Sequence, residues 1–153
     1  MRPPLDDRGQ GLSLVCRVGQ RHLCALPLRY VQETLRPLPL VPMSGAPNFV
    51  LGLSRIRGNP APVVDLAQLL SDKPGVTTRW ISMAVEGRSL AVAAESVLGL
   101  QPLDASDEHA VAPLLRLACK EAVRAVASLD AELLLVLDAT RVIDLVPSER
   151  SEA

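Results

Sequence analysis

A chain of 153 residues with 48% hydrophobic residues has enough apolar material to bury a core, which excludes a disordered chain. Its formal net charge of −1 and its dispersed basic residues exclude a global basic field that would recruit nucleic acid. One Phe, one Trp and one Tyr leave the core to Leu, Val, Ile and Ala.

No apolar run approaches the roughly 20 residues needed to span a bilayer. The opening "MRPPLDDRGQG" reads as a flexible tail over residues 1–12, neither signal peptide nor anchor, and "PSERSEA" gives a second tail over 148–153. "LSLVCRV", "GQR" and "HLCAL" then predict a hairpin closed by Pro27. Cys16 and Cys24 are placed to face each other across it. With Cys119 they form no CxxC, which points to reduced, buried thiols in a cytosolic protein. "LRYVQETLRPLPLV" predicts a strand whose prolines confine its end to a sheet edge. "PMSGAPN" is a loop by composition, and "NFVLG" is long enough for one helical turn. "GLSRIRGNPAPVVDL" predicts strand, turn and strand, with Arg55 and Arg57 alternating onto one face as a positive patch. Asp65 follows as the N-cap of a short helix, "LAQLL".

"SDKPGVTTR" reads as a linker, and after it the pattern starts again. "WISMAVEGRSLAVAAESVLGL" predicts strand, turn, strand and a partly extended return. "QPLDASDEHAVAP" is a polar connection, and "LLRLACKEAVRAV" is helical in part. "VRAVASLDAELLLVLDATRVI" predicts strand, turn, strand and a helix capped by Asp138. A shift of 67 lays Val18 on Val85, Arg21 on Arg88, Leu23 on Leu90 and Val31 on Leu98; a shift of 73 lays Asp65 on Asp138. Repeated order of this kind predicts a structural repeat. Short strands at this spacing predict small barrels, an all-β fold with short helices.

Catalytic patterns are missing: the chain has no P-loop, no GxSxG and no dinucleotide fingerprint. His22 and His109 are far apart, and "DASDEH" reads as a solvated acidic loop, so no metal and no cofactor is expected. Asp65 and Asp138 sit where each ends a strand and starts a helix, and are read as structural caps, not as an acid/base pair. No catalytic residue is assigned.

"RVGQRHLCALPLRYVQE", "APNFVLGLSRIRGNPAPVVDLAQLL", "AVEGRSLAVAAESV" and "AVASLDAELLLVLDATRVI" together resemble the CheW family, over about Leu14 to Leu145. The most specific block is Gly52, Arg57, Gly58 and Pro62 to Leu66. The resemblance implies one domain over 13–147 made of two five-stranded SH3-like barrels packed together. Their boundary would fall near 71–78, with terminal strands able to cross over. It implies a non-enzymatic adaptor in a bacterial chemosensory array. Its partners would be the regulatory domain of a CheA-type histidine kinase and the cytoplasmic tip of a methyl-accepting chemoreceptor. It would lie in the cytoplasm beside membrane-anchored receptors, with no membrane insertion and no nucleic-acid partner.

By position, Val31, Glu33, Gly52, Arg57 and Gly58 match the family's receptor-binding segments. Leu28, Leu53 and Leu98 are candidates to line an apolar groove between the barrels. Arg55 stands where the family usually has Asn, and Pro60 precedes Ala61 where a larger apolar residue is common. Two other readings stand beside the first: an adaptor of a pilus, biofilm or developmental chemosensory system, and a small-ligand-binding barrel or enzyme.

Overall fold

The computed structural model describes residues 11–19, 22–103 and 105–147. The expected tail over 148–153 lies outside these residues, as does that over 1–12 apart from Gly11 and Leu12; Leu12 already opens the first strand. Ten strands follow in chain order: β1 Leu12–Val18, β2 His22–Pro27, β3 Val31–Leu35, β4 Val50–Ile56, β5 Asn59–Asp65, β6 Arg79–Val85, β7 Arg88–Ala94, β8 Ser96–Pro102, β9 Val123–Leu129 and β10 Glu132–Leu137. Helices α1 (Leu66–Ser71), α2 (Pro113–Ala118) and α3 (Ala139–Leu145) join them, with 3-10 turns at Leu28–Tyr30 and Ala105–Asp107. The predicted hairpins, the edge position of β3 and both capped helices are present. The helical turn expected in "NFVLG" is not. Val50 N–H donates to the Pro47 carbonyl at 3.0 Å, a reverse turn, and the chain extends at once as β4.

The strands form two five-stranded sheets, β8-β1-β2-β10-β9 and β3-β6-β7-β5-β4. Renumbering each strand by five converts one order into the other, so the internal repeat is a pseudo-two-fold. Each sheet takes a hairpin from one half and three strands from the other. The joins are the parallel pairings β2–β10 and β5–β7. Each sheet is closed by the segment that leaves its outermost strand. Beyond β3, Val41 bridges Leu53 on β4; beyond β8, His109 bridges Val126 on β9. These equivalent bridges turn both sheets into small barrels.

Period-2 alternation sorts the apolar side chains into three cores. Val15, Leu23, Ala25, Leu134 and Val136 fill one barrel. Trp80, Ala61, Val63, Ala91 and Ala93 fill the other. The opposite faces of the same strands supply the largest core, between the barrels. There Leu14, Cys16, Cys24, Leu26, Leu135 and Leu137 meet Ile81, Met83, Val85, Leu90 and Val92, sealed by α1 and α3. Central strands buried on both faces read as the near-continuous apolar runs seen in the sequence.

Polar side chains fix the ends of the helices. Asp65, buried, accepts the N–H groups of Ala67 (3.0 Å), Gln68 (3.3 Å) and Gly75 (3.2 Å). Asp138 accepts from Arg141 N–H at 3.1 Å and from the Thr140 hydroxyl at 2.8 Å. At the other end of α3, Arg88 donates to the carbonyls of Ile143, Val146 and Pro147. Lys120 donates to Leu69 O at the end of α1 and pairs with Asp72. Cations at helix C-termini satisfy orphan carbonyls and suit the dipole.

Candidate interaction site

The site is built where β3 passes the β4–β5 hairpin. The 3-10 turn Leu28–Tyr30 carries the chain from β2, in one barrel, directly into β3, in the other. Tyr30 and Val31 pack against the inter-barrel core. A bulge in the β3–β6 pairing between Val31 and Glu33 then sets Glu33 opposite Ser82. Bulges of this kind re-aim side chains.

The β4–β5 connection has only two residues, Arg57 at φ 51° and Gly58 at φ 82°. Two left-handed residues match the twist of a tight hairpin, and glycine is the residue that adopts this conformation without strain. The turn delivers the Arg57 guanidinium to Glu33. Nε donates to Oε2 at 2.6 Å and Nη2 to Oε1 at 3.0 Å. The hydrogen bonds from Arg57 hold the Glu33 carboxyl below the usual carboxylate range, and they raise the Arg57 guanidinium in turn. The pair is not hidden: Arg57 is 78% exposed and Glu33 27%.

Around it lies a polar cleft of ≈ 330 Å³ lined by Gln32, Glu33, Arg57, Asn59, Ser82 and Ser89, with Ile56 and Ala61 at its base. The Ser82 hydroxyl donates to Gln32 Oε1 at 3.2 Å. Such a surface offers carboxylate, guanidinium, amide and hydroxyl groups to a polar partner.

Glu33, Arg57 and Gly58 are therefore neighbours in space, while Val31, before the bulge on the same strand, packs against the core between the barrels and does not line the cleft. Gly52 is not part of the cleft. It sits at the closing seam with φ 148°, and a Cβ there would lie 2.6 Å from the Val41 carbonyl oxygen. Leu53 pairs with Val41 on the same seam. Leu28 lies on the 3-10 turn, and Leu98, on β8, is half exposed. None of Leu28, Leu53 and Leu98 belongs to the core between the barrels; Val31, Val50 and Val97 pack against it instead.

Arg55 and Arg57 do not form the expected one-face patch. The strand ends at Ile56, Arg57 turns left-handed, and Arg55 Nη1 donates to the Gly58 carbonyl at 3.1 Å. Gln32, Asn59, Ser82 and Ser89 escaped the sequence reading. Only Ser82 carries a signal, a polar residue flanked by buried apolar ones in "ISMAV". Asp65, Asp138 and His109 lie outside this cleft, the first two as caps and the last in the closing bridge. Cys16, Cys24 and Cys119 are free, buried and part of one core. Burial pushes the Cys16 thiol up to about 12 and the Cys24 thiol far above its ordinary value.

The described residues therefore form a module of two strand-exchanging SH3-like barrels with a polar cleft on one of them. The family model for the CheW-like domain matches residues 13–146, and the chain belongs to that family. It is 37% identical to protein FrzA of Myxococcus xanthus over 95 residues, 60% of this chain and 58% of that one. The match thus spans little more than half of that relative's length. The crystal structure of the scaffolding protein TtCheW from Thermoanaerobacter tengcongensis superposes with a TM-score of 0.74. Coverage is 84% of both chains at 18% identity, a likeness of fold.

Proposed function

We propose that this protein is a non-enzymatic adaptor that couples a CheA-type histidine kinase, through its regulatory domain, to the cytoplasmic tip of a chemoreceptor. The observation that carries this reading is the Glu33–Arg57 pair. It joins two segments, distant in sequence, that the family associates with receptor binding, and sets them in one exposed polar cleft. Val31 anchors the β3 strand on the core between the barrels, and Gly58 supplies the turn. Gly52 acts through the backbone that positions the hairpin. A receptor helix would bring apolar anchors for burial, with the charged pair setting register. Bringing kinase and receptor together in this way raises effective concentration without chemistry.

No described helix is long and apolar enough to cross a membrane. The departures at Arg55 and Pro60 favour a partner set distinct from that of the standard flagellar pathway. Separate pull-downs with kinase and receptor fragments test the reading. Arg57→Ala is expected to weaken receptor capture while kinase capture and the thermal midpoint persist. Equal loss of both, or a fall in the midpoint large enough to account for the defect, would overturn it.

A further inference from the structure

The segment between α1 and β6, which reads in the sequence as a linker, is fastened at three points. The Asp72 N–H donates to the Gln68 carbonyl at 3.0 Å, and the Asp72 carboxylate pairs with Lys120. The Gly75 N–H donates to the buried Asp65 carboxylate at 3.2 Å, and a Cβ on Gly75 would lie 2.5 Å from that of Ala67. Only a residue without a side chain lets the backbone lie this close to α1. The Thr78 N–H donates to the Ala94 carbonyl at 3.0 Å, and its hydroxyl donates to the Glu95 carbonyl. The segment is thus a fixed wall and not a loose tether.

That wall borders a cleft of ≈ 520 Å³ between the barrels. Ser71 of α1, Lys73, Gly75 and Val76 line it from one barrel, His22 of β2 from the other, and Glu95 at the crossing from β7 to β8. The crossing is fixed as well, because the Glu95 N–H donates to the Arg17 carbonyl at 2.9 Å. A volume of this order, at a junction of two folded units, is where small molecules bind. The cleft shares no lining residue with the one around Glu33 and Arg57.

Lys73 and Glu95 bring opposite charges into this cleft. Yet neither side chain makes an ion pair or a hydrogen bond among the described residues. Elsewhere on the surface opposite charges meet, Glu33 with Arg57 and Glu108 with Arg124. Arg17, near enough to Glu95 for their charges to interact, gives both its terminal amino groups to Glu132, at 3.2 and 3.1 Å. An ammonium and a carboxylate held apart in one cleft complement a ligand that carries both charges. Between them Val76, 65% exposed, offers an apolar contact.

We propose that the cleft between the barrels binds a small zwitterion, an aliphatic α-amino acid, with Lys73 holding its carboxylate and Glu95 its ammonium. The proposal goes beyond the receptor cleft and does not depend on what occupies it.

The test is an NMR titration of the full chain at neutral pH with L-leucine. The backbone amides of Gly75, Val76 and Glu95 should shift together and saturate, with half-saturation at about 10 mM or below, the affinity a ligand of this size reaches at ordinary efficiency. N-acetyl-L-leucine, which lacks the ammonium, and L-leucinamide, which lacks the carboxylate, should each bind at least about tenfold more weakly. Lys73→Gln should reduce L-leucine to the level of L-leucinamide, and Glu95→Gln to that of N-acetyl-L-leucine, while Lys73→Arg retains most of the affinity. Emission of the buried Trp80 and the thermal midpoint report folding of each variant. Shifts that do not saturate, shifts centred on Glu33 and Arg57, equal binding of the blocked analogues, or indifference to both charge-removing substitutions would each overturn the proposal.

Discussion

Glu33 and Arg57, 24 residues apart in the chain, form a two-pronged ion pair across the mouth of one barrel, at 2.6 and 3.0 Å. The guanidinium is therefore not a bare cation on an edge. Its fork is oriented by the carboxylate, and the carboxylate by the bulge in β3. If the pair acts as a unit, Glu33→Gln, Arg57→Ala and the double variant should weaken receptor binding to a similar degree, because groups that work together are non-additive. Isothermal titration of the three variants against a receptor fragment checks this. Losses that simply add would mean two independent contacts.

The same pair predicts a pH response. Glu33 has a lowered pKa in the folded state, from the hydrogen bonds of Arg57. Its contribution is therefore complete above the ordinary carboxylate pKa and is lost as pH falls through the lowered folded value. The side-chain carbonyl of Glu33, followed by NMR, should titrate below the usual range in the native protein and return to it in Arg57→Ala. Screening at this exposed site keeps the effect on global stability small.

The two glycines of the hairpin should respond differently. Gly52→Ala meets the Val41 carbonyl at 2.6 Å in a backbone region that side chains resist, so the seam must open. A loss of roughly 1–3 kcal/mol is expected by urea denaturation, with weaker receptor binding. Gly58 has open space around a would-be Cβ. Gly58→Asn, a residue that tolerates left-handed backbone, should cost only a few tenths of a kcal/mol, roughly.

Both helix caps can be ranked. Asp65 satisfies three backbone N–H groups from a buried position, while Asp138 satisfies one N–H and one hydroxyl. Asp65→Ala should cost about 2 kcal/mol or more, against about 1 for Asp138→Ala. Chemical denaturation read from Trp80 emission gives both values. The reverse order would show that α3 depends on its cap more than α1 does.

The thiols predict alkaline lability. The Cys16 thiol moves from an ordinary value of 9.0 to about 12 by burial. A raised folded pKa gives stability that is full below the unfolded value and is lost as pH rises through the folded one. The denaturation midpoint should therefore fall between about pH 9 and 12, and Cys16→Val should flatten that decline. At neutral pH, iodoacetamide should label Cys16 and Cys24 only after unfolding. Rapid native labelling would mean that the inter-barrel core opens.

Local features were readable in advance. The turn at Gly58, the caps at Asp65 and Asp138, and the alternation of β1, β2, β6 and β7 follow from neighbours within a few residues. Long-range pairing was not readable in the same way. Nothing local says that β2 lies parallel to β10, or that Val41 closes a barrel on Leu53. The pairing of Glu33 with Arg57 needed both the bulge and the hairpin. Continuing the alternation of Arg55 into Arg57 failed because the turn ends the strand at Ile56.

What the sequence by itself determined is the repeated unit of strand, turn, strand and capped helix, together with the family pattern around Gly52, Arg57 and Gly58. Backbone conformation and side-chain periodicity act over a few residues, so they are written in the chain. Tertiary structure alone decided that each barrel borrows strands from the other half. It also decided that Glu33 answers Arg57 and that Val41 closes its barrel on Leu53. Those arrangements follow from burying both faces of the central strands at once, and that requirement is met only when distant segments meet.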